Sequence, residues 1–204
     1  MYKVHGVARN RTYRVLWALE ELGAPYEFAE LMPRTDACFA LNPSGKVPIL
    51  EDDGVVVTDS LAIMTYLADK HGALAARAGT IERAKQDSFT NFVVDEVEGA
   101  LWTVSKHKFV LPKEMRVAEM RDVAKFEFDR AMDRLGARLE ALSSGGPFAL
   151  GDTFTITDIL LGHAANWAKA VKWDLPAGEV GAYFDRVRDR PAVARLDEMH
   201  PPAA

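Results

Sequence analysis

Apolar positions follow two different periods along this chain, and the change from one to the other falls near residue 75. Before it, stretches of period two alternate with stretches of helical spacing. Tyr2 and Val4 share one face of Tyr2-Lys3-Val4-His5-Gly6-Val7, which reads as a strand. After a polar stretch at residues 8–12, Val15, Leu16, Leu19 and Leu22 recur at helical spacing, and Gly23 closes the helix. Pro25-Tyr26-Glu27-Phe28-Ala29 alternates again. Two neighbouring strands joined through one helix imply a parallel βαβ unit. Residues 37–41 read as a short helical turn, and Asn42-Pro43-Ser44-Gly45 as loop. The apolar runs 47–51 and 55–57 flank Asp52-Asp53-Gly54, and Asp-Gly in that setting is a strong hairpin signal. A helix starting near Ser60 carries Leu61, Met64, Leu67 and Ala68 on its buried stripe and stops at Gly72. The predicted order is β-α-β-(α)-β-β-α.

Beyond residues 73–79, which read as a linker, no strand pattern returns. Helix patterns cover 81–107, 114–142, 156–171 and 178–189. In the second, Val117, Met120, Ala124, Phe128, Ala131, Leu135 and Leu142 form one apolar stripe. The expectation is an α/β domain over residues 1–75 and an all-α helical bundle over 80–204, with a disordered tail at 201–204.

Composition narrows the partners. The 204 residues are 49% hydrophobic and 27% charged, enough apolar material for a sizeable core without staples. Residues 1–72 hold 7 basic and 10 acidic side chains and the remainder 18 and 20, so neither part offers the basic surface that a nucleic-acid backbone needs. No apolar run approaches the ~20 residues of a membrane span, and Met1-Tyr2-Lys3-Val4 lacks the apolar core of a signal peptide. The single cysteine, Cys38, cannot form an internal disulfide, which points to a reducing cytoplasm. No His/Cys cluster has metal-ligand spacing, so no metal is expected.

Several segments have two readings. Val47-Pro48 opens a predicted strand; it is either an edge strand with a trans proline or a cis-proline turn that offers the Val47 backbone to an extended peptide. Thr58-Asp59-Ser60 stands directly before a helix. It is either a cap or an anion site, in which helix N–H groups and the Ser60 hydroxyl hold a carboxylate while Asp59 pairs with an ammonium beside it, as on an α-amino acid head. Thr155-Ile156-Thr157-Asp158 fits a capping box with Asp in place of Glu, a structural role. His163, Trp102, Trp167 and Trp173 read as packing, and Asp95, Glu96 and Glu98 as a solvated face.

Four blocks taken in order resemble the cytosolic glutathione transferases across almost the whole chain. They are Arg11-Thr12-Tyr13-Arg14-Val15-Leu16-Trp17-Ala18-Leu19-Glu20-Glu21-Leu22-Gly23, Leu41-Asn42-Pro43-Ser44-Gly45-Lys46-Val47-Pro48-Ile49-Leu50, Thr58-Asp59-Ser60-Leu61-Ala62-Ile63-Met64-Thr65-Tyr66-Leu67, and Phe154-Thr155-Ile156-Thr157-Asp158-Ile159. The resemblance implies a thioredoxin-like N-terminal domain, a helical C-terminal domain and a homodimer. It implies that Pro48 is cis, that Val47 pairs with the cysteinyl backbone of glutathione, that Asp59 and Ser60 hold the γ-glutamyl head, and that Lys46 meets the glycyl carboxylate. The second substrate, a small hydrophobic electrophile, is implied between the loop of residues 7–12, Val7 included, and the helix end carrying Trp102, His107 and Lys108.

The catalytic position departs from the pattern. Where the family usually places a Ser, Cys or Tyr against the glutathione sulfur, this chain has Arg9 and Asn10, with Thr12 in the first helical turn. These three are the expected sulfur-stabilising residues, with the His107-Lys108 pair as the alternative source of positive field. The leading reading is an enzyme that activates the thiol for conjugation or peroxide reduction. The alternative is a non-catalytic binding module of the same fold, suggested by the lost hydroxyl or thiol. A dithiol redox role would need a cysteine at the start of the first helix, and none stands there.

Overall fold

A computed structural model gives the structure of residues 1–201, and the chain divides into two compact units. One joins Met1–Ala78 to the segment from Asp189 onward; the other is Gly79–Arg188. Most of the tail expected to be disordered, residues 202–204, lies outside the described residues.

The first unit runs β1 (Tyr2–Gly6), α1 (Thr12–Leu22), β2 (Tyr26–Glu30), α2 (Asp36–Leu41), β3 (Ile49–Asp52), β4 (Val55–Thr58) and α3 (Ser60–His71). The sheet order is β2-β1-β3-β4. β1 and β2 are parallel, with Tyr2 opposite Tyr26, while β3 runs antiparallel to both β1 and β4. The β3–β4 turn forms as the Asp-Gly signal predicts: Asp53 and Gly54 both have positive φ, 49° and 79°, as a two-residue type I′ hairpin requires. This mixed four-stranded sheet with its helices is thioredoxin-like. α1 is buried more completely than its apolar spacing foretells, since every residue from Thr12 to Leu19 is buried. Away from the loops that follow β1, Asp52 at the end of β3 accepts hydrogen bonds from Lys70 and Tyr66 of α3, and Lys70 lies 5.2 Å from the Tyr2 ring centroid. These two donors hold the Asp52 carboxyl below its ordinary range.

The second unit holds α4 (Ile81–Phe92), α5 (Glu98–Ser105), α6 (Met120–Ser143), α7 (Ile156–Ala170) and α8 (Gly178–Arg188). The helix expected over 81–107 continues unbroken to Val110, but with π-helical turns at Val93–Val97 and Lys106–Val110. In the second of these the Leu111 N–H reaches back five residues to the Lys106 carbonyl, at 3.0 Å. Such a slip of the backbone ladder leaves no mark in apolar spacing. Within the first of these turns and just beyond it, Asp95 is exposed and Glu98 is buried, which corrects the expectation of one solvated acidic face. The helix expected from 114 begins at Met120, because Arg116 ties the intervening residues 111–116 back onto the preceding helix end by donating to the Leu111 and Phe109 carbonyls at 2.8 and 3.1 Å. Val117 is therefore outside the stripe and exposed, whereas Ala124, Phe128, Ala131 and Leu135 are buried as expected. Trp173 packs on Phe128 at 5.2 Å between ring centroids, and His163 is buried near Trp167.

The capping box at α7 forms as read. Asp158 is fully buried and accepts four hydrogen bonds: from the Thr155 N–H at 2.8 Å, the Thr155 hydroxyl at 3.1 Å, the Ala149 N–H at 2.8 Å and the Tyr183 hydroxyl at 2.8 Å. One side chain thus ties the start of α7 to a preceding loop and to α8.

After Arg188 the chain returns to the first unit as α9 (Pro191–Met199), so the all-helical stretch expected over 80–204 is divided there. The cause is a set of charges laid along α1. Arg190 grips Glu21 through two bonds of 2.6 Å, and Arg195 Nε reaches Glu20 at 2.7 Å. At the other end of α1, Arg9 reaches Asp197 at 2.8 Å. Glu21 is nearly buried and also accepts the Trp17 indole N–H at 2.9 Å, so its bidentate pair with Arg190 is worth more than an exposed one.

Two outcomes are expected. Asp158→Ala leaves two backbone N–H groups and two hydroxyls without their acceptor and costs about 3 to 5 kcal/mol, read by urea unfolding. Asp52 has a folded pKa below its unfolded one, so its contribution is complete above about pH 4 and is lost as pH falls through the folded value. The stability gap between wild type and Asp52→Asn should therefore be constant from pH 5 to 7 and shrink at lower pH.

Candidate functional site

The sheet register brings three loops to one end of the first unit. His5 pairs with Ile49, and Ile49 with Thr58. The loop after β1, the residues before β3 and the helix start after β4 therefore meet at the same edge.

The loop after β1 is tightly determined. A Cβ on Gly6 would lie 2.1 Å from Thr12 Oγ1, so only glycine lets α1 begin this close to the strand. Asn10 donates its N–H to the Val7 carbonyl at 3.1 Å and accepts the Tyr13 N–H at 3.0 Å. Its side-chain oxygen accepts both the Thr12 N–H at 2.8 Å and the Thr12 hydroxyl at 2.7 Å. Asn10 thus holds the start of α1 through its side-chain oxygen. Thr12 is fully buried and Val7 half-buried. Arg9 is exposed, bound to Asp197, with its guanidinium 5.5 Å from the Tyr13 ring centroid.

The Val47–Pro48 peptide is cis. Val47 is half-buried and lies two residues before β3, beyond the end of the paired ladder. Asn42 shapes the turn ahead of it, donating to the Lys46 carbonyl at 2.8 Å and accepting the Ser44 N–H and hydroxyl at 3.0 and 2.9 Å. Lys46 is exposed. A residue missed in the sequence stands close by. The Arg34 N–H donates to the Gly45 carbonyl at 2.9 Å, which sets an exposed arginine with φ of 64° on a loop tied directly to that of Lys46. Its signal would have been a lone cation in a loop, which no spacing rule singles out.

At the third loop the capping reading is realised: Asp59 Oδ1 accepts the N–H groups of Leu61 and Ala62 at 2.9 and 3.2 Å. Its backbone is unusual, with φ 73° and ψ 124°, a conformation that costs an L-residue roughly 1 to 3 kcal/mol and gathers at functional sites. Ser60 is buried, and its hydroxyl accepts Arg14 Nη1 at 3.3 Å. Arg14 is itself buried in α1, a link between the first and third loops that apolar spacing does not reveal.

The other expected residues belong to the second unit. Trp102 is half-buried against Trp167, at 6.4 Å between centroids. His107 and Lys108 lie in the second π turn, Lys108 exposed. The Val117 N–H donates to His107 Nδ1 at 3.1 Å, which ties the ring to the loop that follows the helix.

A thioredoxin-like sheet with a cis-proline before β3, a strained aspartate–serine helix start beside it and a separate helical unit define a two-unit thioredoxin-fold protein. Residues 10–70 match the family model of the glutathione S-transferase N-terminal domain, and residues 118–196 that of the C-terminal domain. The chain is 32% identical over 164 residues to glutathione S-transferase GstA of Escherichia coli O157:H7, covering 78% of this chain and 75% of that one. The glutathione transferase of Methylococcus capsulatus superposes with a TM-score of 0.81 at 25% identity, over 98% of both chains. A glutathione transferase homolog of Lodderomyces elongisporus, solved with two glutathione molecules per subunit, superposes with a TM-score of 0.86 at 23% identity, over 98% of this chain and 99% of that one, and shows the shared fold. The chain belongs to the glutathione S-transferase family and is a glutathione transferase.

The Gly6–Thr12 contact gives a direct test of how the site is built. Gly6→Ala should cost about 1 to 3 kcal/mol through overpacking, read by urea unfolding, and the same change in a Thr12→Ala background should cost less.

Proposed function

We propose that the loops at the end of the sheet bind glutathione and lower the pKa of its thiol for attack on a small hydrophobic electrophile or a peroxide. The observation that carries this reading is the register, which sets Val47 beyond the ladder beside Asp59 and Ser60 and beside the start of α1. The Val47 backbone pairs with the cysteinyl residue as an added strand would. The Ser60 hydroxyl and the N–H groups at the start of α3 take the γ-glutamyl carboxylate, Asp59 its ammonium, and Lys46 the glycyl carboxylate.

The sulfur then lies at the N-terminus of α1, where the helix dipole favours an anion. Thr12 gives its hydroxyl proton to Asn10, so this loop offers the sulfur the Asn10 amide as a donor and Arg9 as a charge. Lowering a thiol pKa by ~2 units takes ~2.7 kcal/mol, within reach of one or two charge-assisted hydrogen bonds at ~1.5 to 3 kcal/mol each. A hydroxyl is not required. We assign Trp102, His107 and Lys108 of the helical unit to the second substrate, and Val7 to the glutathione-binding unit. No helix among the described residues is long and apolar enough to cross a membrane, and we place the enzyme in the cytoplasm as a homodimer. Of the apolar residues along 81–107, Phe89, Phe92, Val93, Val97 and Leu101 are buried within their own chain and Ile81 is exposed. The dimer proposal therefore rests on kinship.

Asp59→Ala should weaken glutathione binding about tenfold to a hundredfold by calorimetry, the range for a hydrogen bond to a charged group; unchanged affinity removes Asp59 from the site. Turnover of a chloronitrobenzene and of a hydroperoxide by the wild type decides the reaction, and binding without turnover on either favours the non-catalytic module. Light scattering at micromolar concentration should give twice the 22.6 kDa chain mass.

A further inference from the structure

The pairing of Arg9 changes what that residue can do. A free guanidinium at the start of α1 would be a full positive charge beside the sulfur. Here its Nη1 is 2.8 Å from Asp197 Oδ1, and the same oxygen accepts the Tyr13 hydroxyl at 3.0 Å. Both partners are partly screened, with side chains 33% and 48% exposed, yet the geometry is over-determined. Tyr13 is buried in α1, its ring lies beneath the guanidinium, and α9 is pinned to α1 by the Arg190 and Arg195 pairs. Asp197 is therefore delivered to Arg9 by the whole of α9.

We propose that Asp197 is a positioning residue that sets the charge at the sulfur-stabilising loop: with Arg9 it forms a neutral dyad, held in place by Tyr13, which fixes the thiol pKa of bound glutathione. The proposal rests on the reading that glutathione occupies this site. Its consequence is a sign pattern. Removing Arg9 leaves a carboxylate beside the loop and raises the thiol pKa. Removing the charge of Asp197 leaves a guanidinium and lowers it. Removing both restores neutrality. A dyad that acted instead by direct contact between Arg9 and sulfur would give a double variant like the Arg9 single variant.

The other charged and titratable groups on these elements do not mimic the pattern. Burial and the neighbouring Arg9 push the His200 pKa down, so its ring, edge-on to Phe28 at 5.0 Å between centroids, is neutral at and above neutral pH. Burial and Asp197 push the Tyr13 hydroxyl up, so it stays a donor throughout. Glu20 and Glu21 are paired with Arg195 and Arg190, Arg14 donates to Ser60, and Asp59 caps α3. Arg11 is unchanged in every variant.

The test is ultraviolet titration of the bound thiolate in wild type, Arg9→Ala, Asp197→Asn and the double variant. The asparagine keeps an oxygen for Tyr13 and removes only the charge. Arg9→Ala should raise the thiol pKa and Asp197→Asn lower it, each by about half a unit to one unit, the size expected of a partly screened unit charge near the thiol. The double variant should return to within about a quarter unit of wild type, and the single shifts should shrink as salt is raised. Asp197→Glu should keep the wild-type value. Unchanged pKa values in both single variants, or a double variant matching Arg9→Ala, overturn the dyad while leaving glutathione binding intact. A wild type that shows no bound thiolate at all removes the dyad's role together with the site reading on which it rests.

Discussion

A helix buried on every face must find a partner for each polar group it carries, and α1 is such a helix. Its residues from Thr12 to Leu19 are all buried, and among them are a threonine, an arginine and an indole N–H. They are held from different directions: Thr12 by Asn10 in the preceding loop, Arg14 through its Nη1 by Ser60 at the start of α3, and Trp17 by Glu21. Glu21 is in turn held by Arg190 at the start of α9. Because an unanswered buried polar group costs about 1 to 3 kcal/mol, these pairings leave α1 little freedom to shift. The proposed glutathione site is built on that immobility, since both its sulfur end and its γ-glutamyl end are referenced to this one helix.

The return of α9 is what completes the burial. Three of its charged residues meet charges of opposite sign in or just before α1, at Glu21, Glu20 and Arg9. The final helix is therefore part of the unit that carries the site, although a whole helical unit separates them in sequence. The absence of a Ser, Cys or Tyr at the usual place then shifts the chemical question from a single donor to the charges and amide donors around the helix start. Asn10 illustrates the change, because the side chain at the usual catalytic place is here an amide whose oxygen holds Thr12.

Much of this was legible in the sequence, and the parts that were not share a cause. The β-α-β-(α)-β-β-α order, the Asp53-Gly54 hairpin and the Asp158 box depend on local periodicity and turn chemistry, which residues carry on their own. The cis-proline at Pro48 came from kinship rather than from any local pattern. The π turns at Val93–Val97 and Lys106–Val110 are slips of backbone hydrogen bonding, to which apolar spacing is blind. α9 could have been found from Pro191 at a helix start with Ala192, Val193 and Leu196 as its buried face, but the charges that dock it are meaningful only once Glu20, Glu21 and Arg9 are seen lined up on α1. In the same way Arg9 reads as a free cation in the sequence and becomes half of an ion pair in the fold.

The central claim, that glutathione lies along Val47 with its γ-glutamyl head at Asp59–Ser60 and its sulfur at the start of α1, is tested most directly by a crystal structure of the glutathione complex. It should show the cysteinyl backbone paired with the Val47 main chain, the γ-glutamyl carboxylate on Ser60, and the sulfur within hydrogen-bonding distance of Arg9 or Asn10. Glutathione bound away from Val47 and Ser60, or a sulfur contacting His107 or Lys108 and neither Arg9 nor Asn10, would contradict it.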